Sequence, residues 1–476
     1  MFEEHLQRPR GQGVLPDWPH AGAAGGAACG DLVRIAVRVE DDRVVQAGFD
    51  ASGCGAALAA GSAVVALVEG AAFLDAARVN ADSIATELGG LIPAKRHAAE
   101  LAADALHRAL GAAARDGAPS LPADPRRTLV AMSGGVDSAA AAQLALDAGD
   151  EVVAVTLELW SDPATDGTIS CCSPQAVTGA RALAHGMGLA HLTLDLRERF
   201  RAEVVDGFLA GYAAGVTPNP CVRCNGEVRF DAMLDLATAL GAARLSTGHY
   251  ARIADDGAGP LVRQAVDPLK DQSYMLARLE PELLERLVFP LGGMTKPEVR
   301  ELTRAAGLPV ADKRESQDLC FVAGLGGRAF LRRHAAERLS GEGEIVTPAG
   351  EVLGRHSGQH DFTIGQRRGL GVAAAEPLYV LAKDAARNRV VVGTRDQLAT
   401  ERIELDQCHL HRPPDSVRAV KLRYRSQPLP CRLHSDGERA VLELDRPAHA
   451  AAPGQLACLL TEDRVVGHGT IAEPTA

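Results

Sequence analysis

The hexapeptide SGGVDS, Ser133 to Ser138, follows a short apolar run and opens an Ala-rich run. Consecutive glycines let the backbone approach a ligand closely and adopt conformations that other residues disfavour. The first amides of a helix point at a bound anion, and the helix dipole attracts it. No lysine stands where a Walker loop requires one. The hexapeptide therefore predicts a strand–loop–helix unit that binds phosphate groups.

The residues around this loop alternate between apolar runs and helical patterns. The predicted strands are TLVAM, EVVAVTLEL, AHLTLDL and RLSTGH. The predicted helices are Ala139–Ala148, a helix from Ser173 to about Gly188, and Phe230–Leu240. Such alternation is typical of a parallel sheet covered by helices. We therefore predict an α/β fold class with a doubly wound parallel sheet.

The length of 476 residues argues for several domains, because one core ordinarily holds fewer. A polar, Pro-rich segment at 115–127 predicts a linker between a first domain, 1–114, and the α/β domain, 128–340. The first domain is predicted to contain a hairpin that turns at Asp41-Asp42, followed by Ala-rich helices. Short strands from 341 to 476 predict an antiparallel β-barrel domain, and a helical central part is expected near 285–340.

Composition limits the function classes. The net charge of -11 argues against a general nucleic-acid coat but leaves room for a local basic groove. We expect a cytoplasmic protein with no membrane partner, because the start has no apolar leader and no run of about 20 uncharged apolar residues occurs. In such a chain, clustered cysteines favour metal or sulfur chemistry over a disulfide scaffold.

The segment TPNPCVRCN carries Cys221 and Cys224 in a CxxC pattern, and DLCFV carries Cys320. A CxxC pair alone indicates metal, cluster or redox chemistry. The flanking prolines predict a stiff, exposed loop, and the adjacent Arg223 is expected to favour a thiolate. The residues by themselves leave the choice among these chemistries open.

The loop resembles the pyrophosphate loop of the ATP pyrophosphatase family, whose pattern is S-G-G-x-D-S. The resemblance implies an enzyme that cleaves ATP between the α and β phosphates and transfers AMP to an oxygen. Asp137 then either holds Mg²⁺ or fixes the loop, and His249 of STGHYAR is either a polar contact or an internal histidine. The implied ATP-binding residues are Ala131, Met132, Ser133, Gly134, Gly135, Val136, Asp137, Ser138, Leu157 and Gly248.

From about residue 127 to the end, the chain resembles the bacterial tRNA 2-thiouridylases. The resemblance is carried by SGGVDS, TPNPCVRCN, TGHYAR, KDQSYML, FPLGGMTKPEVRE, DLCFV, HSGQHDFTIGQRRGLG and RYRS. It implies that the C2 oxygen of a wobble uridine is adenylated and then replaced by sulfur. Cys224 matches the family nucleophile and Cys320 the cysteine that carries a persulfide, so both thiols are expected to have lowered pKa values.

Cys221 departs from many of these relatives, which carry an aspartate thought to act as acid or base. Three cysteines at 221, 224 and 320 also match the ligand set of a 4Fe-4S cluster with one open iron. The sulfur source, persulfide or cluster sulfide, therefore stays open. The partners implied are the anticodon loop of tRNA and a sulfur donor such as a cysteine desulfurase or a persulfide relay protein.

The resemblance also implies the tRNA contacts. Arginine beside aromatic residues suits a splayed-out anticodon base. The implied tRNA-binding residues are Asn219, Pro220, Cys221, Lys270, Asp271, Gln272, Arg423, Tyr424 and Arg425.

Residues from about 18 to 110 resemble the NifU/IscU-type iron–sulfur scaffolds. The carriers are ACGD, SGCGAA and KRHAAELAADAL. The family places a third cysteine where this chain has Ala98. Cys29, Asp31, Cys54 and His97 remain as candidate ligands for zinc or iron, and the alternative is a retained fold without metal.

Two other function classes are compatible with parts of the sequence. A ligase that adenylates a carboxylate would use the same loop, and a cluster carrier would use the same cysteines. Neither explains all the motifs, and pyrophosphate release that depends on tRNA separates the three classes.

Overall fold

The first 115 residues form a three-stranded antiparallel sheet covered by helices. The computed structural model describes residues 1–13, 18–25, 30–162, 173–314, 319–435, 440–449 and 451–473. The strands of this sheet, in spatial order, are His20–Gly25, Leu32–Glu40 and Arg43–Ser52. The helices are Phe2–Gln7, Gly55–Val68, Phe73–Ala76, Ala81–Glu87 and Arg96–Arg115.

The predicted hairpin and the two Ala-rich helices are present. Glu40 pairs with Arg43 around the Asp41-Asp42 turn, where Asp41 adopts a φ of 52°. Small side chains let the long helix lie close to the sheet. A Cβ on Gly22 would meet the Ala105 carbonyl oxygen at 2.3 Å.

A five-stranded parallel sheet forms the middle of the molecule, as predicted. Its strands, in spatial order, are Leu287–Val288, Ala242–Thr247, Asp124–Ala131, Glu151–Glu158 and Ala190–Asp195. The helices of this region are Val136–Asp147, Pro174–Gly186, Arg197–Phe200, Asp206–Ala213, Pro220–Cys224, Phe230–Ala239, Pro281–Leu284, Lys296–Ala305 and Gly327–Ala335. Two π-helical turns, Arg201–Val205 and Asn225–Arg229, interrupt this regular pattern. Such turns occur often at functional sites.

Local sequence signals fix several helix starts. The Ser173 hydroxyl accepts a hydrogen bond from the Ala176 amide at 3.1 Å, and Pro174 occupies the first helical position. The serine accepts a hydrogen bond from one of the free amides at the helix N-terminus, and the proline has no amide hydrogen that needs a partner. The predicted start of this helix at Ser173 is confirmed.

Two β units follow. The first is a four-stranded sheet with the spatial order Val352–His356, Gly343–Val346, Arg389–Gly393 and Tyr379–Asp384. The second is a closed antiparallel barrel of Ala399–Leu410, Ala440–His449, Leu429–Ser435, Ala419–Lys421, Leu456–Thr461 and Arg464–Ile471. Pairing of its first strand with its last closes the barrel, as predicted. The strands Pro260–Arg263 and Arg252–Asp255 extend it from the middle region.

The long helix of the first region covers the edge of the parallel sheet. The amide of His191, on the edge strand, donates to the Ala77 carbonyl at 3.0 Å, and the His107 ring lies 2.8 Å from the His191 carbonyl. A Cβ on Gly111 would meet the Thr193 carbonyl at 1.8 Å, so only glycine permits this approach. The first region is therefore tightly docked on the sheet. Among the described residues, none of the helices combines the length and apolar character that crossing a bilayer needs.

Candidate functional site

The glycine loop joins the strand Asp124–Ala131 to the helix Val136–Asp147. Gly134 has a φ of 69°, a conformation that favours glycine. The Ser138 hydroxyl donates to the Gly135 carbonyl at 3.1 Å and accepts from the Ser133 amide at 3.2 Å. Ser133 is exposed and Ser138 is buried. The loop is thus held from within by Ser138.

Gly248 lies against this loop. It follows the strand Ala242–Thr247, which is the neighbour of the loop's own strand. A Cβ on Gly248 would come within 2.7 Å of the Asp137 carbonyl carbon and 2.8 Å of the Ser138 amide nitrogen. Leu157 stands half-buried near the carboxyl end of the strand on the other side. Carboxyl ends of parallel strands are the usual ligand-binding edge of such sheets.

Two lysines reach the loop from distant parts of the sequence. Lys296 Nζ lies 2.6 Å from Asp137 Oδ1, and the Tyr250 hydroxyl donates to the same oxygen at 2.8 Å. Lys313 Nζ donates to the Gly134 carbonyl at 2.8 Å. No local sequence signal marks either lysine, although Lys296 stands within FPLGGMTKPEVRE. The loop therefore receives its cations from outside the hexapeptide. Among the described residues, Asp137 is held by the side chains of Lys296 and Tyr250.

His249 is an internal histidine. Its Nδ1 lies 2.7 Å from the Thr247 hydroxyl, and its ring packs beside those of Phe230 and Phe289. Burial lowers the pKa of His249 to about 3. The ring is therefore neutral near pH 7, and it supports the end of the strand beside the loop.

The CxxC segment is a helix, so the predicted exposed loop is wrong. Asn219 caps the helix Pro220–Cys224, accepting from the Val222 amide at 3.3 Å, and Pro220 occupies its first position. A capping asparagine followed by proline favours a helix start rather than a loop. Cys221 is half-buried and Cys224 is 6 % exposed. Residues three apart share one face of a helix, so both sulfurs belong to the same side.

Arg223 does not supply the simple positive charge that the sequence suggested. Its guanidinium lies 2.7 Å from Glu227 and 3.5 Å from Glu203. Glu227 also pairs with Arg278 at 2.7 Å. These carboxylates offset the charge that was expected to favour a thiolate.

Cys320 lies half-buried in a turn close to the same region. The ring of the next residue, Phe321, lies 5.1 Å from the ring of Phe208. Phe208 in turn lines a cavity of 270 Å³ together with Pro220 and Val222 of the cysteine helix. The turn that carries Cys320 and the helix that carries Cys224 thus adjoin the same aromatic residue.

A short segment links the glycine loop to the cysteine helix. Gln272 and Tyr250 exchange two hydrogen bonds, one of 2.8 Å through the Tyr250 carbonyl and one of 2.9 Å through the Gln272 side chain. Three residues further on, the Met275 carbonyl accepts from the Asn225 side chain at 3.1 Å. Tyr250 holds Asp137 of the loop, and Asn225 directly follows Cys224. The segment therefore spans the distance between the glycine loop and the helix that carries Cys224.

Lys270, Asp271 and Gln272, which the resemblance implied as tRNA contacts, differ in their solvent exposure. Asp271 is buried: its carboxylate accepts from the Ser273 hydroxyl at 2.9 Å and lies 3.2 Å from Lys421 Nζ. The Gln272 side chain is engaged by Tyr250, as described above. Lys270 is half-buried. Asp271 and Gln272 thus hold the fold together in this structure, and Asp271 joins the middle region to the barrel.

The RYRS turn and the NPC segment come together at Tyr274. The hydroxyl of Tyr274 donates to the Leu456 carbonyl at 2.9 Å. The Asn219 side chain and the charge of Arg423 both act on that hydroxyl, whose pKa is raised mainly by burial. Arg423 and Arg425 are exposed, and Tyr424 is half-buried. The structure thus unites two of the implied tRNA-binding segments around a tyrosine that sequence analysis did not single out.

The barrel also holds the residues that precede the cysteine helix. The Thr217 amide donates to the Pro453 carbonyl at 2.9 Å, and the Gln455 side chain donates to the Thr217 carbonyl at 2.6 Å. The barrel therefore sets the position of the cysteine helix from its N-terminal side.

Three of the four predicted ligands in the first region lie together, and Cys29 falls outside the described residues. Asp31 accepts from the Cys54 thiol at 3.1 Å, and His97 Nε2 lies 2.9 Å from the same carboxylate oxygen. Ligand atoms of the three residues all lie within 4.8 Å of one another. His97 Nδ1 lies 3.0 Å from the Ala94 carbonyl, a contact that orients the ring with Nε2 facing the Asp31 carboxylate. Ala98, in place of the family's third cysteine, is fully buried.

Family models match almost all of the chain. Residues 2–115 match the NifU-like N terminal domain, and 126–324 match the tRNA methyl transferase HUP domain. The tRNA methyl transferase PRC-barrel domain matches 328–394, and the Aminomethyltransferase beta-barrel domain matches 402–471. The class defined by fold and site is thus a pyrophosphate-loop protein with a scaffold-like module ahead of it.

Curated relatives match either the whole chain or the part that follows its first region. A protein of Rubrobacter xylanophilus named "Bifunctional protein NifU/MnmA" is 44% identical over 99% of this chain and 98% of its own length. Proteins of Acidithiobacillus ferrooxidans and Chloroflexus aurantiacus, each named "tRNA-specific 2-thiouridylase MnmA", are 44% identical over 73% of this chain and 98% of their own lengths. This chain belongs to the NifU/MnmA family, a fusion of a NifU-like domain with a 2-thiouridylase.

Proposed function

We propose that this protein is an ATP-dependent tRNA-uridine 2-sulfurtransferase that thiolates the wobble uridine at C2. The observation that carries the proposal is the connection from Asp137 through Tyr250, Gln272 and Met275 to Asn225. It ties a phosphate-binding loop to the helix that bears Cys224. Adenylation and sulfur transfer on one base require the loop and the cysteine helix to lie near each other.

In the first step the C2 oxygen of uridine attacks the α phosphate of ATP. The bond between the α and β phosphates breaks, pyrophosphate leaves, and the oxygen carries AMP. The loop amides bind the phosphates, and Lys296 and Lys313 neutralise the charge that develops on the leaving group. Mg²⁺ would shield the phosphates in addition; Asp137 is the carboxylate of the loop, with Oδ1 already engaged by Lys296 and Tyr250.

In the second step sulfur replaces the AMP oxygen. The terminal sulfur of a Cys320 persulfide attacks C2, and AMP leaves with its oxygen. Cys224 then attacks the Cys320 sulfur, the S–S bond breaks, and 2-thiouridine is released with a Cys224–Cys320 disulfide left behind. A thiol reductant resets the pair, and a cysteine desulfurase or relay protein supplies the next persulfide.

The sulfide of an iron–sulfur cluster is the alternative sulfur source to the Cys320 persulfide. The positions of the three cysteines are the reason to test it. Cys221 and Cys224 share one helix face, and Cys320 lies in a turn near the same cavity. With a 4Fe-4S cluster on these residues, the open iron would supply sulfide in place of the persulfide. Iron content of anaerobically purified protein distinguishes the two sources.

The substrate base is proposed to enter beside Tyr274. Asn219 and Arg423 adjoin that tyrosine, and the exposed Arg423 and Arg425 face solvent where an anticodon loop has room. Lys270 and Tyr424 complete the proposed tRNA-binding surface together with Pro220 and Cys221. Asp271 and Gln272 are proposed to act by positioning, because their side chains are bonded within the protein.

The test separates the two steps. Pyrophosphate release and 2-thiouridine formation are measured with ATP, unmodified tRNA and a sulfur donor. We expect pyrophosphate release to depend on tRNA, and Cys224→Ala and Cys320→Ala to retain that release while forming no 2-thiouridine. Lys296→Ala is expected to weaken both at limiting ATP, because the KM for ATP rises.

Cys408→Ala serves as the matched control, because that half-buried cysteine lies on the barrel. It should keep both activities. Pyrophosphate release without tRNA, or full thiolation by Cys224→Ala, would contradict the proposal.

A further inference from the structure

A second group of side chains that could hold a metal ion lies where the barrel meets the helix Pro281–Leu284. Glu280, His409 and His411 each offer one ligand atom, and these atoms all lie within 4.8 Å of one another. His409 Nε2 lies 3.1 Å from Glu280 Oε2, and His411 Nδ1 lies 3.7 Å from the same oxygen. The sequence analysis did not single out these residues.

Both imidazoles reach the same carboxylate from the end of the first barrel strand. His409 lies in the strand Ala399–Leu410, and His411 directly follows its last residue. Their ring centroids lie 5.5 Å apart. The His411 amide donates to the Val466 carbonyl at 2.9 Å, so this part of the backbone remains bonded to the last strand of the barrel.

A bulge sets the register at this point. Asp406 pairs with Thr470 and His409 with His468, so two residues of the first strand face one of its partner. Gln407 within the bulge has a φ of 50°. Bulges re-aim side chains and are frequent beside functional sites. Here the bulge places a third imidazole, His468, directly across from His409, with ring centroids 5.7 Å apart.

The distances suit a small divalent ion. Zinc bonds nitrogen and oxygen at about 2.0–2.1 Å, so tetrahedral ligand atoms lie roughly 3.3 Å apart. The two measured separations from Glu280 fall on either side of that value. Two histidines and a glutamate with an open position form a known zinc ligand set. The His411 side chain is 4 % exposed, while those of Glu280 and His409 are 43 % and 54 % exposed, so solvent reaches the site.

We propose that Glu280, His409 and His411 bind a divalent first-row transition ion, with Zn²⁺ as the reference ion. The ion would join the barrel to the end of the segment that runs from Lys270 to Glu280. That segment holds both Tyr250 and Asn225, and Arg278 within it lines the cavity beside the cysteine helix. The bound ion would thus stabilise one wall of that cavity.

Zinc stoichiometry of the full chain tests this inference without reference to catalysis. Protein is loaded with Zn²⁺, dialysed and analysed for metal at pH 7.5, and affinity is measured against a chromophoric chelator. The variants are Glu280→Gln and His411→Ala. His434→Ala is the matched control, because His434 lies 3.0 Å from Glu443 on the same barrel in an equally exposed pair.

We expect the parent and His434→Ala to bind the same number of zinc ions and both test variants to bind one fewer. Zinc is also expected to raise the melting temperature of the control more than that of Glu280→Gln. The exposed Glu280 carboxylate keeps the test valid even if His411→Ala fails to fold. Equal stoichiometry in Glu280→Gln and the control would overturn the proposal.

Cobalt distinguishes this site from the cysteine-containing ones. The difference spectrum between Co²⁺-loaded parent and His411→Ala should contain visible d–d bands without a near-ultraviolet thiolate band. A thiolate band in that difference would mean that the lost ion sits on cysteine, and the proposal would then be wrong.

Discussion

The hydroxyl of Tyr250 donates to Oδ1 of Asp137 at 2.8 Å. The same tyrosine exchanges backbone and side-chain hydrogen bonds with Gln272, so one residue fixes the acidic group of the loop and the segment that leads to the cysteine helix. Because Lys296 binds that oxygen as well, the loop's charge balance depends on contacts made far along the chain. Disturbing these contacts should therefore affect nucleotide binding before it affects folding.

Lys296→Met should raise the KM for ATP about tenfold or more. A hydrogen bond to a charged group contributes about 1.5–3 kcal/mol, and the Lys296 side chain is only 9 % exposed. The measurement is steady-state pyrophosphate release in the presence of tRNA. Arg304→Ala, which removes an exposed ion pair with Glu301 from the same helix, should leave KM unchanged. An unchanged KM in Lys296→Met would show that the lysine does not serve the nucleotide.

Gly248→Ala should impair both stability and ATP binding. The added methyl group would lie 2.7 Å from the Asp137 carbonyl carbon, and such overpacking costs about 1–3 kcal/mol. Urea denaturation and the KM for ATP report the two effects. Gly179→Ala is the control, because a Cβ there meets nothing within 4 Å and alanine favours the helix. If Gly248→Ala had the same free energy of unfolding as Gly179→Ala, the close packing of Gly248 against Asp137 would be contradicted.

Arg108→Ala should destabilise the contact between the first region and the parallel sheet. Its guanidinium pairs with Glu158, whose side chain is 2 % exposed, and removing one partner of such a pair costs about 3–5 kcal/mol. Calorimetry measures the shift in melting temperature. Arg78→Ala, which breaks an exposed pair with Asp75, should change little. Adding Glu158→Gln to Arg108→Ala should restore part of the loss; no recovery would point to lost packing instead.

Stability should fall between pH 6.5 and about 4 because of buried histidines at that contact. Burial, reinforced by the charge of Arg181, lowers the pKa of His185 to about 4. His107 and His191 lie beside it with pKa values lowered by burial and by neighbouring positive charges. Below pH 6.5 these histidines become protonated in the unfolded chain but stay neutral in the folded protein. The free energy of unfolding therefore decreases as the pH drops. The loss from His185 is complete near pH 4.

The expected loss from His185 is on the order of 3 kcal/mol, since one pKa unit corresponds to about 1.4 kcal/mol. Urea denaturation at pH 7, 6, 5 and 4.5 measures it. His185→Gln should flatten the pH dependence in this range, whereas His434→Gln on the exposed barrel surface should not. If the free energy of unfolding of His185→Gln depended on pH as that of the parent does, His185 would not be the source of the acid destabilisation.

Zinc or cobalt should bind the first region through Cys54. We expect a thiolate-to-cobalt absorption band that is lost in Cys54→Ser and weakened in His97→Ala, because both side chains meet at Asp31. Asp50→Asn, on an exposed strand position, is the control. Persistence of the band in Cys54→Ser would assign the ion to other cysteines.

Much of this architecture was predictable from local signals. The hairpin at Asp41-Asp42, the capped helix after Ser173 and the glycine loop depend on residues a few positions apart, so their sequences report them directly. The CxxC segment was misjudged because its prolines suggested an exposed loop, whereas Asn219 and Pro220 together start a helix. The bulge at Gln407 was not predicted, because it depends on pairing between strands.

The sequence by itself determined the phosphate loop, the α/β alternation, the β-rich end and the cysteines that are candidates for sulfur chemistry. Each depends on backbone preferences and side-chain chemistry within a short stretch of residues. Only the tertiary structure decided which distant groups meet them. Lys296 reaches Asp137 across 159 positions, Tyr274 gathers Asn219 and Arg423, and Cys224 is buried by the packing around its helix. Such contacts follow from how the sheet, helices and barrel pack, and no local pattern encodes that packing.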